Sequence, residues 1–534
     1  METKFFKPNE LLTCGCCSHS RRDFLFNCAK CIGAAGVFSG MVVPTFLTTS
    51  SCTSKEKMTV RVVFALHEPV QNRPDWPNIG FDFNPVMEKI MNALTAGCPK
   101  INFVQSMVNG APAAEKLRDE DLAAGNIDGY LVVQMNCWNH AVKQLCETGK
   151  PVLYADFPYG GSGGFLVYSA GQLRNKPENF AYMGSDNPAH LVAAANCFLL
   201  TQGSGGLKAF VDGVAKVRMG IYAGVKEDMK CLVDKCDVLS TNDLLKELKG
   251  KKMLEYESGW ANVGQETKEA LGFEIVKRPF AELNDLWEKA NKDQAKEIVK
   301  RWKTNADKII DVSEETLETS ACMYLAMKQT LKNHDACAIT INCLGGFYGG
   351  HIHAYPCLGF HELLNEGLVG ACECDTLSTL TMVTMTTMTK GRPGYISDPV
   401  MDVASKQIIY AHCVASNKPF GPQKTSNPFT IMTHSEDRQG ASLRSLLPAG
   451  YMTTTLQMHP GRKEILFHQA KATGNIIDDR ACRTKLAAAP VGDFEKLFKE
   501  WDKWGWHRVT YYGDLKKPIF DLANTIGYKI IEEA

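Results

Sequence analysis

Ala336-Cys-Ala-Ile-Thr-Ile-Asn-Cys343, then Leu344-Gly-Gly-Phe-Tyr-Gly-Gly-His351-Ile-His353-Ala-Tyr-Pro356, then a stretch ending Ala371-Cys372-Glu373-Cys374-Asp375-Thr376: this segment decides the fold. Ala336–Cys343 reads as a buried strand, Leu344 to Pro356 as a Gly- and His-rich turn, and Cys357–Gly367 as a helix. A second strand ends at Asp375. Strand, crossover helix and strand in close succession are the signature of a parallel sheet, whose ligands bind at the carboxyl ends of the strands. Two carboxylates therefore arrive where a site is expected, facing a loop with two histidines.

Working outward, the upstream chain repeats the pattern. Apolar runs at Val60–Leu66, Ile101–Val104, Gly129–Gln134 and Pro151–Ala155 alternate with amphipathic helical stretches at Asn84–Ala96, Ala113–Ala124 and Trp138–Thr148. That alternation predicts a first doubly wound, Rossmann-like domain over 59–180. The Gly160-Gly161-Ser162-Gly163-Gly164 run lacks the Lys and helix start of a phosphate loop, so it reads as a flexible substrate-side or subunit-contact loop. A second α/β domain over 181–356 is expected to hold strands at Val217–Ala223 and Phe273–Lys277. Its long helices are expected at Phe280–Ile310 and at Glu314–Asn333, with Ser313 as N-cap.

Downstream of Lys390 the texture changes. Short turn-separated runs at Gln407–His412, Phe429–His434, Tyr451–Gln457, Ile465–Ala470 and Ala481–Leu486 predict a mixed, β-rich C-terminal domain over 357–534, of small-barrel type. It closes on helices at Asp493–Trp504 and Leu515–Ile526. The fold class is α/β: two doubly wound domains followed by a mixed β-rich one.

The chain has 534 residues, 45% of them hydrophobic, with 59 Lys+Arg balancing 59 Asp+Glu. It carries no basic surplus or stripe to engage a phosphate backbone, which excludes nucleic acid as partner. Ser20-Arg21-Arg22-Asp23-Phe24-Leu25, followed by the apolar Ile32–Leu47 stretch and then Thr48 to Cys52, resembles a twin-arginine export signal over 1–52. The expected location is thus exported, periplasmic or held at the membrane by a lipid on Cys52. Cys14, Cys16, Cys17, Cys28 and Cys31 fall inside that signal. Cys137, Cys343, Cys372 and Cys413 sit in apolar strand-like runs, where a small buried hydrophobe is the default.

Of the thirteen histidines, eight fall at or after His351. His361 reads as a satisfied residue on a helix face, and His459 and His468, flanking a hairpin, as surface residues. His412 and His434 sit where strands emerge, placed either to line a pocket or as ordinary buried residues; His507 opens a late strand, as metal ligand or core. Asp375 is either the cap of a helix beginning near Thr376 or a ligand for a hard cation.

Pro356-Cys357, Asn365-Glu366-Gly367, Ala371-Cys372-Glu373-Cys374-Asp375, Ala411-His412-Cys413, Thr433-His434-Ser435-Glu436, Cys482-Arg483-Thr484, Trp506-His507 and Tyr512-Gly513-Asp514, over roughly residues 60–534, resemble the L-fucose isomerase/L-arabinose isomerase superfamily. The resemblance implies a metal-dependent aldose–ketose isomerase acting on a small sugar by ene-diol proton transfer, assembled as a trimer or hexamer. It implies a divalent metal, Mn²⁺ first, held by a Glu, an Asp and a late His. On this chain Asp375 takes the Asp position and His507 the His position, with His412, His434 and Glu436 around the sugar. The family's first Glu is expected just after the strand ending at Cys343, where this chain carries Leu344 to His351 and no carboxylate. Either His351 or His353 then serves as ligand and base, in a softer site suited to Zn²⁺ or Fe²⁺, or the protein is an exported, non-catalytic carbohydrate binder.

Overall fold

β1 (Met58–Ala65), β2 (Ile101–Val108), β3 (Gly129–Gln134), β4 (Val152–Asp156) and β5 (Phe180–Met183) form a parallel sheet in the order β2-β1-β3-β4-β5. The computed structural model describes residues 57–534 apart from position 227; the export signal and Cys52 lie outside the described residues. Every residue of β3 and β4 is buried, which is why these strands read as continuous apolar runs instead of alternating ones. The winding reverses between β1 and β3, the position where doubly wound sheets form ligand crevices.

β6 (Lys252–Tyr256), β7 (Glu274–Arg278), β9 (Ala338–Ile341) and β10 (Val369–Cys372) make a second all-parallel sheet, ordered β10-β9-β6-β7. Its last strand lies beyond residue 356, so strand pairing carries the second α/β layer past the expected boundary. The short β8 (Lys308–Ile310) instead joins β13 (Phe429–Met432) and β14 (Ser442–Ser445) in a separate three-stranded sheet.

The C-terminal strands are β11 (Tyr395–Asp402), β12 (Gln407–His412), β15 (Met452–His459), β16 (Glu464–Asn475), β17 (Thr484–Pro490) and β18 (Arg508–Tyr512). They pair antiparallel in the order β15-β18-β11-β12-β17-β16, and β16 returns to β15, closing a barrel. Closure leaves these strands no free edge. β19 (Lys529–Glu532) adds to β16 in parallel. Two doubly wound layers and a β-rich C-terminal domain are thus present as expected. Among the described residues no helix is long and apolar enough to cross a membrane.

Several local expectations are corrected. Val217–Ala223 is the second half of the helix Gly206–Ala223, whose buried Phe210, Val214 and Arg218 recur every four residues on one face. The expected Phe280–Ile310 helix is two, Phe280–Glu288 and Lys292–Asn305, because Asn291 caps the second through the N–H groups of Asp293 and Gln294. The Trp138–Thr148 helix shrinks to Val142–Cys146, and Asp493–Trp504 breaks into short helical turns. The glycine run at 160–164 is buried, not flexible, and opens the helix Ser162–Asn175. A β-carbon on Gly161 would stand 2.1 Å from the Gln134 carbonyl oxygen, and one on Gly164 2.0 Å from that of Cys137. Glycine lets this helix start against the end of β3.

Candidate metal centre

β10 ends at Cys372, and the next two residues take left-handed backbone angles, φ 66° at Glu373 and 53° at Cys374. That turn cancels the strand's alternation, so Glu373 and Asp375 both reach one imidazole, that of His507. Asp398 projects from β11. His507 directly precedes β18, whose Arg508 pairs with Ser397 of β11, so His507 and Asp398 occupy neighbouring positions of one ladder. His412 ends β12. Three barrel strands and one strand end of the second sheet thereby converge.

Glu373, Asp398, His412 and His507 each bring a ligand atom within 4.8 Å of the others. His507 Nε2 stands 3.6 Å from Glu373 and 3.4 Å from Asp398, and His412 Nδ1 stands 3.3 Å from Asp398. Both rings are buried, while the two carboxylates keep 13% side-chain exposure. Nε2 of His507 and both ring nitrogens of His412 are buried without a hydrogen-bond partner. Buried polar atoms are normally satisfied; here they surround one point.

Asp375 stands behind His507. Its Oδ2 accepts from His507 Nδ1 at 3.0 Å and from Ser378 Oγ at 2.7 Å, while Oδ1 accepts from the Ser378 N–H at 3.0 Å. It is both the N-cap of the helix Thr376–Met388 and the group that holds the proton on Nδ1. This leaves the Nε2 lone pair directed at the cluster, as carboxylate–histidine–metal triads do.

The electrostatics ask for a cation. Among the described residues no Lys or Arg pairs with Glu373, Asp375 or Asp398. Burial drives the Glu373 carboxyl well above its ordinary range, and the charges of Asp398 and Glu436 add to that. Burial opposes a proton on His507, yet the facing Asp398 and Glu373 charges and the Asp375 bond lift it to about 10. The positive charge those carboxylates hold as a proton is one a divalent ion supplies better. Two carboxylates and two imidazoles suit Mn²⁺, Fe²⁺ or Zn²⁺.

The structure separates the expected site residues. His507 and His412 are in the cluster. Asp375 is one step removed, and Glu373 and Asp398 hold the ligand positions. His351 and His353 are exposed and outside it: Ile352 takes the buried position between them, so both rings turn outward. His351 lies beside Phe280, and His353 lies 3.7 Å from Glu288. The expected turn is itself partly helical, Cys343–Tyr348. His434 bonds Asp437 at 3.0 Å, and Glu436 accepts from Tyr348 Oη at 2.6 Å, on a turn beside β12. His361 is fully buried, bonded to the Ala415 carbonyl, and His468, expected at the surface, is buried between Tyr410 and Glu533.

Asp398 went unread because Pro399 and two aspartates argue against a strand. In the structure β18 pairs with β11 only through Tyr395–Ser397, so the missing Pro399 N–H costs no bond on that side. The alternation of Tyr395 and Ser397 with Ile396 and Val400, which puts Asp398 on the face of the latter two, was the available signal. Trp260, half-exposed, stacks on His507 with ring centres 5.2 Å apart, and its backbone N–H donates to the Cys374 carbonyl.

Fold and site together define an α/β protein with a barrel-borne cluster of Glu373, Asp398, His412 and His507 able to hold a cation. Among curated proteins, the chain is similar to sulfoquinovose isomerases of Priestia aryabhattai and Priestia megaterium, each 23% identical over 308 residues, 55% of this chain and 67% of theirs. No family model matches. Two solved structures align weakly: a probable maltose operon transcriptional repressor of Staphylococcus aureus (9% identity, TM-score 0.19, 54% of this chain and 79% of that one) and a Bacillus halodurans ABC transporter solute-binding protein with bound myo-inositol (11%, 0.16, 56% and 83%).

Proposed function

We propose that the chain is a divalent-cation-dependent isomerase that interconverts an aldose and a ketose, exported by the twin-arginine route that residues 20–52 suggest. The observation that carries this is the convergence of Glu373, Asp398, His412 and His507, in a chain whose curated relatives are named sulfoquinovose isomerases.

Glu373, Asp398, His412 and His507 would hold the ion, with Asp375 fixing the His507 ring. When bound, such an ion would supply a Lewis acid to the sugar's oxygens. The remaining work falls to side chains. Trp260 offers an aromatic face beside His507 for the apolar face of a sugar. The carboxyl groups of the cluster would take up and return protons, in surroundings where burial raises the Glu373 carboxyl.

Protein purified without chelator is expected to carry about one divalent ion per chain by elemental analysis, as a single four-residue cradle requires. It is further expected to interconvert at least one sugar in a panel of fucose, arabinose and sulfoquinovose with their ketoses, followed by proton NMR, with loss of conversion on chelation. Bound metal with no conversion of any panel member overturns the isomerase reading; no bound metal overturns the centre itself.

A further inference from the structure

An aldose–ketose exchange moves two hydrogens. One passes from carbon 2 to carbon 1, and one passes from the oxygen on carbon 2 to the oxygen on carbon 1. The groups nearest the centre are poorly free for the second. Asp375 is committed to Ser378 and His507, and Glu373 and Asp398 are directed at the cation position. His434 is bonded to Asp437 and packed against the stacked rings of Phe347 and Tyr355.

Glu436 is differently placed. It lies on the turn between β13 and β14, and the neighbouring Ser435 Oγ stands 3.3 Å from the sulfur of Cys413, the residue after His412. Its carbonyl accepts the Ile79 N–H at 2.7 Å, so the first α/β layer pins the same turn. The residue is 6% exposed. One carboxyl oxygen, Oε2, accepts from Tyr348 Oη at 2.6 Å, and no described residue bonds the other. Cys137 and Cys482 each feel the charges of both Asp398 and Glu436, and Glu373 feels both as well. Ser435 Oγ also stands 3.8 Å from the Cys482 sulfur, and Cys482 and Cys413 pack with Val400 and Ala411, so the turn of Glu436 lies against the strands that carry Asp398 and His412. Tyr348 is 44% exposed and links this buried carboxyl to solvent.

We propose that Glu436 is the catalytic residue for the oxygen-to-oxygen transfer. In its neutral form it gives its proton to the carbonyl oxygen of the sugar and recovers one from the neighbouring hydroxyl, ending as it began; Tyr348 is its positioning residue. This inference rests on the isomerase reading. It agrees with the local electrostatics: burial raises the Glu436 carboxyl to about 8, with Asp75 and Cys413 adding to the rise and His434 and the Tyr348 bond opposing it. Glu373, Cys137 and Cys482 in turn feel the Glu436 charge. A carboxyl that is neutral at pH 7 and close to its titration point suits proton exchange.

Glu436→Gln keeps the shape and loses the exchangeable proton. The full chain, loaded with metal, is expected to lose about 100-fold in kcat, the usual worth of a general acid–base group, with metal content unchanged and Glu436→Asp recovering part of the loss. The neutral form is needed, so wild-type kcat should fall as pH rises through about 8, and Glu436→Gln should lack that limb. Tyr348→Phe removes a bond that favours the anion, so it should move the limb to higher pH. Infrared pH titration of the full chain, without substrate, should show a protonated-carboxyl band that declines over the same range and is weaker by one carboxyl in Glu436→Gln, the buried Asp156 and Glu373 carboxyls remaining. An unchanged kcat and limb in Glu436→Gln, or a band no weaker in that variant, overturns the proposal while leaving the isomerase reading standing. A wild-type protein that binds metal, shows the band and converts no sugar overturns the isomerase reading, and this proposal with it.

Discussion

β9 and β10 run side by side in the second sheet, in register from Ala338 opposite Val369 to Ile341 opposite Cys372, and the chain leaves them in opposite ways. After β9 it enters a helical turn at Cys343–Tyr348 and delivers two histidines to the surface. After β10 two left-handed residues swing Glu373 inward and leave Asp375 to cap the next helix. Residue type favoured the first end as a metal site; backbone geometry favours the second. The difference shows that a strand end becomes a site through what closes over it. The barrel brings Asp398, His412 and His507 onto the end of β10, whereas the end of β9 meets the outer helix Phe280–Glu288 through the Asn284 side chain, which bonds the His351 carbonyl.

The hardest blow to this contrast would come from Asp398. Asp398→Asn keeps the size of a side chain that faces both His412 and His507 and removes its charge. It should abolish stoichiometric metal binding, an effect larger than the 10–100-fold typical of residues behind the ligands. Elemental analysis after dialysis checks this, and a variant that keeps a full equivalent of metal would show that β11 does not supply a ligand.

Asp375 sharpens the boundary between ligand and support. Asp375→Asn should weaken metal binding about 10–100-fold, as loss of a carboxylate behind a histidine ligand does, without abolishing it. Asp375→Ala should in addition remove a helix cap, at a cost of about 1 kcal/mol, visible as earlier denaturant unfolding of the metal-free protein. Loss of metal equal to that in the Asp398 variant would promote Asp375 to a ligand and collapse the distinction.

The alternation of strands and helices was legible because β3 and β4 are buried on both faces and leave nearly continuous apolar runs. The Glu314–His334 helix was legible from its Ser313 cap. The barrel was legible only as texture, since closure depends on β18 lying between β15 and β11, strands distant from it in the chain. The site was half legible. His507 and His412 stood out as strand-end histidines. Glu373 and Asp375 could not be assigned correctly, because the left-handed turn that reverses their roles needs no glycine in this chain. Asp398 was hidden by Pro399.

The smallest expected effect tests the other strand end. Had His351 or His353 replaced a ligand, its loss would strip the ion; had one been the base, its loss would cost turnover with the ion retained. Both rings are exposed, and their contacts are with Phe280, Trp287 and Glu288 on the outer helix, none of which touches the cluster. Surface substitutions of this kind usually stay within about 0.5 kcal/mol, and no charge in the centre depends on either ring. His351→Ala and His353→Ala, singly and together, are therefore expected to keep a full equivalent of metal and a turnover within about twofold of the parent, the factor that such an energy allows. A tenfold loss in the double variant, with metal retained, would return a catalytic role to the end of β9 and require the helix Phe280–Glu288 to move aside during the reaction.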